Sequence, residues 1–220
     1  MDRGVDADLD ADVDRGVDAD VEAEPAAVTV AIVLAAGAGS RFSGPTHKLL
    51  ADVGGTTVAR RAVDAARTAA IGPVVVVTGA VDPFAGEPPA DVTVVHHPGW
   101  ADGQATSLQA GLRAAAALGA TAVVVGLADQ PFVSPDAWRS VASSPAPIAV
   151  ATYAGRRRNP VRLAAEVWPL LPTSGDAGAR TVISLRPELV EEVPCHGSPD
   201  DIDSWEDLAP WQSRSSTNSP

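Results

Sequence analysis

Residues 28–34, Val-Thr-Val-Ala-Ile-Val-Leu, constrain the fold of this chain more than any other stretch. β-Branched side chains dominate the run, and these favour extended backbone. Strict apolar–polar alternation is missing, so no face is reserved for water. The run reads as a strand buried on both sides, as in the middle of a parallel sheet. It then breaks into Ala35-Ala36-Gly37-Ala38-Gly39-Ser40, six residues with almost no side chains. Such a loop lets a ligand approach the backbone closely, and its N–H groups can turn towards an anion. Arg41 and Lys48 follow, and Lys48 is the only lysine in the chain. These are the two cations a polyphosphate would need.

Two common phosphate-loop patterns do not fit. A dinucleotide fingerprint needs a third glycine where Phe42 stands. A P-loop needs Gly-Lys-Ser/Thr after its four-residue gap, but Pro45 follows Gly44 and Lys48 comes too late. An ordinary strand-to-helix glycine turn would have the same small residues without the two cations.

Downstream, strand-like and helix-like segments alternate. Thr56 or Thr57 can cap a helix running to about Ala70, with Val58, Ala62, Val63 and Ala66 on one face. Leu49–Asp52 before it reads as short and extended. Strands are expected at Val74–Val77 (followed by Thr78-Gly79), Val92–Val95, Ala122–Leu127 and Ile148–Tyr153, with a surface loop over Pro83–Ala90. A further helix, which Thr106 or Ser107 can cap, ends near Leu118. The alternation implies a mostly parallel α/β sheet with helices on both faces and ligands at the carboxyl ends of its strands.

Asp129 stands at such an end. A carboxylate there can hold Mg²⁺, a hard cation that uses few carboxylates together with water and phosphate oxygens; the competing reading is a turn or helix-capping Asp. His96 and His97 have no evident metal partners and read as strand-end polar residues. The arginines 156–158 read as a solvated loop after the strand ending at Tyr153. Asp176 and Arg180, in Ser174-Gly175-Asp176-Ala177-Gly178-Ala179-Arg180, either position a substrate or order their own loop through an ion pair. Asp203, just before an acidic helix start, reads as an N-cap.

Composition narrows the partners. The 45% hydrophobic fraction suffices for one core in 220 residues. Residues 1–25 hold ten acidic side chains against Arg3 and Arg15, most of the formal net charge of −12. The rest is only mildly acidic, which points away from a nucleic-acid partner. The acidic segment repeats DRGVDAD at Asp2–Asp8 and Asp14–Asp20, and is expected to be a disordered, self-repelling arm. Its alternating Asp6, Asp8, Asp10 and Asp12 lack the glycine and glutamate of a calcium-binding EF-hand. The single cysteine, Cys195, excludes an internal disulfide and suits a reducing, cytoplasmic setting. No apolar run is long enough to span a bilayer, and the acidic N-terminus is unlike a secretory or mitochondrial signal. The expected organisation is a tail over residues 1–27, one domain over 28–211 and a polar tail over 212–220.

Five ordered motifs together resemble the MobA-like nucleotidyltransferases, on the side of the molybdenum cofactor cytidylyltransferases. They are LAAGAGSRF…HKLL from Leu34 to Leu50, WADGQATSL from Trp100 to Leu108, LADQP from Leu127 to Pro131, GDAGAR from Gly175 to Arg180, and DIDSWEDL from Asp201 to Leu208. The family's first motif runs roughly L-A-[AG]-G-x-x-x-R-[FM]-G-x-x-K, and Ala36 matches its cytidylyltransferase form. Four departures stand out. The spacer Ser43–His47 before Lys48 is longer and bulkier than usual. Ala128 replaces Gly, Asn159 replaces the His of G-H-P-V, and Trp205 replaces Pro.

The resemblance implies a Rossmann-like, GT-A-like fold and transfer of an NMP onto a phosphorylated acceptor with release of pyrophosphate. CTP is the expected donor and molybdopterin cofactor the expected acceptor. A sugar or isoprenoid phosphate acceptor is the first alternative; an NADPH-binding oxidoreductase on the same fold is the second. The implied nucleotide site is Leu34, Ala35, Ala36, Gly37, Ala38, Gly39, Ser40, Arg41, Lys48, Thr78, Gly79, Ser107 and Asp129. Arg41, Lys48 and Asp129 would carry catalysis, and Asp129 with Asp203 would hold Mg²⁺. Arg158, Asn159, Asp176 and Arg180 would face the acceptor. A molybdoenzyme or its maturation factor is the protein partner the resemblance allows.

Overall fold

The computed structural model describes residues 27–208. Seven strands form one sheet: β1 (Val28–Ala35), β2 (Val74–Thr78), β3 (Val92–His96), β4 (Ala120–Leu127), β5 (Ile148–Tyr153), β6 (Arg156–Ala164) and β7 (Val190–Pro194). Their spatial order is β3-β2-β1-β4-β6-β5-β7. Only β6 runs against its neighbours β4 and β5; every other pairing is parallel. Four α-helices accompany them: α1 (Val58–Ala69), α2 (Gln104–Ala117), α3 (Pro135–Ala142) and α4 (Arg180–Leu185).

β1 explains why its sequence does not alternate. Ala31, Val33 and Ala35 face α1 and α3, packing with Val58, Val63, Trp138 and Val141. Val30, Ile32 and Leu34 face α2, packing with Leu108, Leu112 and Ala115. Both faces are dry, and each fully buried Val or Ile contributes about 1.5–3 kcal/mol. β1 is also where the strand order reverses. The chain passes from β1 to β2 and β3 on one side, then returns to place β4 on the other. That reversal leaves a crevice beyond the carboxyl ends of β1 and β4.

Thr57 caps α1, its hydroxyl accepting from Arg60 N at 3.2 Å. α2 starts three residues before Ser107, so Thr106 and Ser107 lie inside the helix rather than capping it. Thr106 Oγ1 instead lies 2.9 Å from His97 Nε2, and its one hydrogen is shared between the carbonyls of Gly99 and Gly103 at 3.1 and 2.8 Å. Leu49–Asp52 is extended only in its second half, where Ala51 has extended backbone and Asp52 bridges to Thr57. A 3-10 turn spans Lys48–Leu50, with His47 as its side-chain cap.

The arginine stretch differs most from expectation. Arg156, Arg157 and Arg158 lie on β6, paired with Tyr153, Thr152 and Ala151 of β5. The reversal needs only Ala154 and Gly155, both at positive φ, which is the backbone of a tight hairpin turn. Arg157 pairs with Glu192 of β7, Nε to Oε1 at 2.7 Å. The acidic arm with its candidate calcium loop, and the C-terminal tail with Trp211, lie outside the described residues. Among those described, no helix is long and apolar enough to cross a membrane.

Candidate active site

The glycine loop leaves β1 at its carboxyl end and turns over the crevice. Gly39 has φ +62°, and a side chain there would bring Cβ to 3.0 Å from His47 Nε2 and 3.1 Å from Lys48 Cγ. The loop therefore rests on the next segment of chain, and a side chain at this position would be both strained and crowded. The 3-10 turn that follows carries Lys48 inward: its side chain is 11% exposed.

Lys48 Nζ lies 2.6 Å from Asp129 Oδ2 and 3.5 Å from Asp203 Oδ1. Arg41 Nη2 stands 3.4 Å from the same Asp203 oxygen, with its side chain 80% exposed and so free to meet a ligand. The two carboxylates come from positions far apart in sequence. Asp129 follows the end of β4. Asp203 is brought to it because Ile202 N donates to Asp129 O at 2.8 Å. Buried Gln130 holds the same segment, its Nε2 donating to Pro199 O at 3.1 Å and Asp201 Oδ1 at 2.7 Å. Loss of solvation first, and the charge of Asp129 second, push the Asp201 carboxyl above its usual range. Asp203 does not cap the following turn. Ser204 does that work, its hydroxyl accepting from Asp207 N at 3.3 Å, while Asp207 Oδ2 reaches back to the N–H groups of Asp203 and Ser204 at 3.0 and 2.7 Å; the Asp203 carboxylate is left to Lys48 and Arg41. At the rim, the Phe42 and Trp205 rings meet at 5.9 Å between centroids and 58° between planes.

A cavity of about 540 Å³ opens here, within the range of small-molecule sites. Its wall includes Leu34 through Arg41, Lys48, Ser107, Asp129, Asp176 and Asp203. Asp176 arrives through the 175–176 turn, which docks on the start of α2: Ala105 N donates to Gly175 O at 2.9 Å and Gly175 N to Asp102 O at 3.2 Å. Thr78 and Gly79 do not line the cavity. Thr78 is buried at the end of β2, and Gly79 is pressed against Ala36 O and Trp100. Asn159 and Arg180 line a second, smaller cavity of about 60 Å³ that shares Leu34, Gln104 and Leu127 with the first. Arg158 lines neither, and Asp176 and Arg180 form no ion pair among the described residues. Phe42, Trp100, Ala101, Gly103 and Gln104 also line the main cavity, beyond the residues expected there. All five belong to motifs legible in the sequence, Phe42 to the first and the other four to Trp100–Leu108, but motif membership does not say which side chains face the cavity.

Residues 31–193 match the family model described as the MobA-like NTP transferase domain. The chain belongs to that family. Two curated proteins resemble this nucleotidyltransferase-family chain. Nicotine blue oxidoreductase of Paenarthrobacter nicotinovorans is 33% identical over 197 residues, covering 80% of this chain and 93% of its own. The purine catabolism protein PucB of Bacillus subtilis is 34% identical over 110 residues, covering 48% of this chain. That match spans about half of PucB, 54%. A nucleotidyl transferase from Methanothermobacter shares the architecture with TM-score 0.72 and 25% identity, over 87% of this chain and 99% of that one. A Mycobacterium tuberculosis protein solved as a manganese complex gives TM-score 0.66 and 26% identity, over 84% and 98%.

Proposed function

We propose that this chain transfers a nucleoside monophosphate, CMP from CTP, onto a phosphorylated acceptor, with molybdopterin cofactor the first to test. The observation that carries this reading is the cluster at the crevice: one ammonium held by Asp129 and Asp203, with Arg41 beside it, at the end of a glycine loop. In the reaction, an acceptor phosphate oxygen attacks the α-phosphorus of CTP. The new P–O bond forms as the bond from the α-phosphorus to the bridging oxygen breaks, and pyrophosphate leaves with that electron pair. The acceptor's second pKa is about 6, so it arrives largely ionised and needs no protein base. The protein's work is to position the reactants and to neutralise developing charge. Loop N–H groups hold the phosphates, Arg41 and Lys48 offset the charge passing to pyrophosphate, and Ala35 and Ala36 border the base.

The carboxylate pair fits a divalent cation. Two oxygens that approach one ammonium nitrogen can also approach one metal ion, and among the described residues no third His, Cys, Asp or Glu completes a protein cage. That donor set suits Mg²⁺, which takes its remaining ligands from water and substrate phosphates. When bound, the ion supplies charge neutralisation on the phosphate oxygens.

A second reading is favoured by one finding, the likeness to nicotine blue oxidoreductase over 93% of that protein's length: a dinucleotide held by the same loop, and hydride transfer. Retention of Lys48 and both aspartates supports group transfer, since hydride transfer requires no carboxylate pair. The deciding experiment measures pyrophosphate release from each NTP with Mg²⁺ against molybdopterin, sugar-phosphate and isoprenoid-phosphate acceptors, beside an NADPH-oxidation assay with quinonoid dyes. Release that needs one acceptor supports transfer and names the acceptor. Turnover only in the NADPH arm sinks the transfer reading.

A further inference from the structure

We propose that His47 is a positioning residue for Lys48: its neutral imidazole caps the turn that carries the ammonium to Asp129, and a second proton on the ring undoes the cap. The inference rests on Lys48 serving the bound nucleotide, as set out above.

His47 Nδ1 accepts from Leu49 N at 3.2 Å. An accepting ring nitrogen carries no hydrogen, so the neutral ring keeps its proton on Nε2. Nε2 is itself buried and closes no hydrogen bond among the described residues. It lies beneath the glycine loop, beside the Lys48 stem: a Cβ on Gly39 would meet His47 Nε2 and Lys48 Cγ at almost equal distances, 3.0 and 3.1 Å. Imidazole, lysine stem and loop are thus stacked on one another. The turn is short, with Leu50 N donating to His47 O at 2.8 Å and Leu49 buried below. In so short a turn the side-chain cap supplies a large part of the order.

Protonation places a hydrogen on Nδ1, facing the Leu49 N–H. Two donors then confront each other and the cap is lost. The charged group that bears on the ring is Lys48, in its own turn; Asp129 and Asp203, across the site, are both occupied by Lys48, and Arg41 pairs with Asp203. Burial chiefly, and Lys48 to a lesser extent, hold the ring below the ordinary histidine range, against the Gly37 and Ala38 backbone, which favours the proton. The cap is therefore intact at neutrality and fails in mild acid.

The chain's single lysine makes this testable, because protein labelled with ε-¹³C-lysine gives one lysine side-chain signal. That signal is followed from about pH 8 downwards in wild type, His47→Asn and His47→Phe. Asn can accept from Leu49 N but does not titrate; Phe fills the space but cannot accept. The wild-type signal is expected to move below about pH 6.5, the Asn variant to lose that transition, and the Phe variant to show the displaced signal already at neutrality. In parallel, CTP–Mg²⁺ titration at neutral pH is expected to weaken about five- to tenfold in the Phe variant, the size of one lost cap, and to stay near wild type in the Asn variant. A transition that persists unchanged in His47→Asn, or a Phe variant indistinguishable from wild type, overturns the proposal. Should the Phe variant fail to fold, the Asn comparison decides alone. If no form binds a nucleotide, the functional reading falls, while the lysine signal still decides whether His47 governs Lys48.

Discussion

At the scale of single residues, the site depends on charges converging from distant parts of the chain. Lys48 could be singled out from the sequence because it is the only lysine and follows a loop without side chains. That two aspartates share it could not be read there: Asp203 has the sequence context of a cap, and only the reciprocal contacts of Ser204 and Asp207 explain why its carboxylate is left to Lys48. Replacing Lys48 by Ala is expected to lower kcat/KM for pyrophosphate release at least tenfold, about 1.4 kcal/mol of transition-state stabilisation. Steady-state kinetics at saturating Mg²⁺ check this, and wild-type turnover would remove Lys48 from the mechanism. Gly39→Ala faces two penalties, a positive φ and a Cβ set against His47 and Lys48. We expect it to weaken nucleotide binding several-fold in a calorimetric titration and to lower the unfolding midpoint modestly, because Gly39 is half-buried against His47 and Lys48.

At the scale of elements, periodicity and turn chemistry decided most of what could be read. α1 and its Thr57 cap, the strands β1, β2, β4 and β5, and the loop after β1 follow from local sequence. β6 did not, because three adjacent arginines, all exposed at the start of the strand, obscure it, and its hairpin turn lacks the usual Asn-Gly signal. The contact between α2 and the sheet depends on a residue without a side chain. A Cβ on Gly111 would approach Ile32 Cγ2 to 2.9 Å and Val77 Cγ2 to 3.2 Å. Gly111→Ala should therefore destabilise the protein by about 1–3 kcal/mol through overpacking, outweighing the helix-propensity gain. Urea unfolding checks this: the midpoint should fall with the slope unchanged.

At the scale of the whole molecule, pH acts on the core as well as on the site. Tyr153 is buried at the end of β5, and its hydroxyl has no hydrogen-bond partner among the described residues. Burial chiefly, and then the nearby Cys195, push its ionisation above the ordinary range; burial also raises the Cys195 thiol. Both groups are bound as neutral acids more tightly in the folded state. Their contribution is therefore complete below the unfolded values, about 8.5 for Cys and 10 for Tyr, and is lost as pH rises beyond them. We expect the unfolding free energy to decline above about pH 9 and Tyr153→Phe to decline less. At neutral pH the same variant should cost under about 1 kcal/mol, because no hydrogen bond is lost. Chemical denaturation at neutral and alkaline pH separates the two.

The sequence by itself determined the architecture's class: buried β-branched runs separated by capped helices admit few arrangements other than a parallel sheet covered on both faces. It also marked the loop after β1, because small residues followed by two isolated cations are a local property, and that loop lines the main cavity. Only the tertiary structure decided which carboxylates Lys48 would hold, that the three arginines would open a strand rather than a loop, and that His47 would lie under Gly39. Those outcomes depend on where separate segments cross at the end of a sheet, and no spacing within one segment records that crossing.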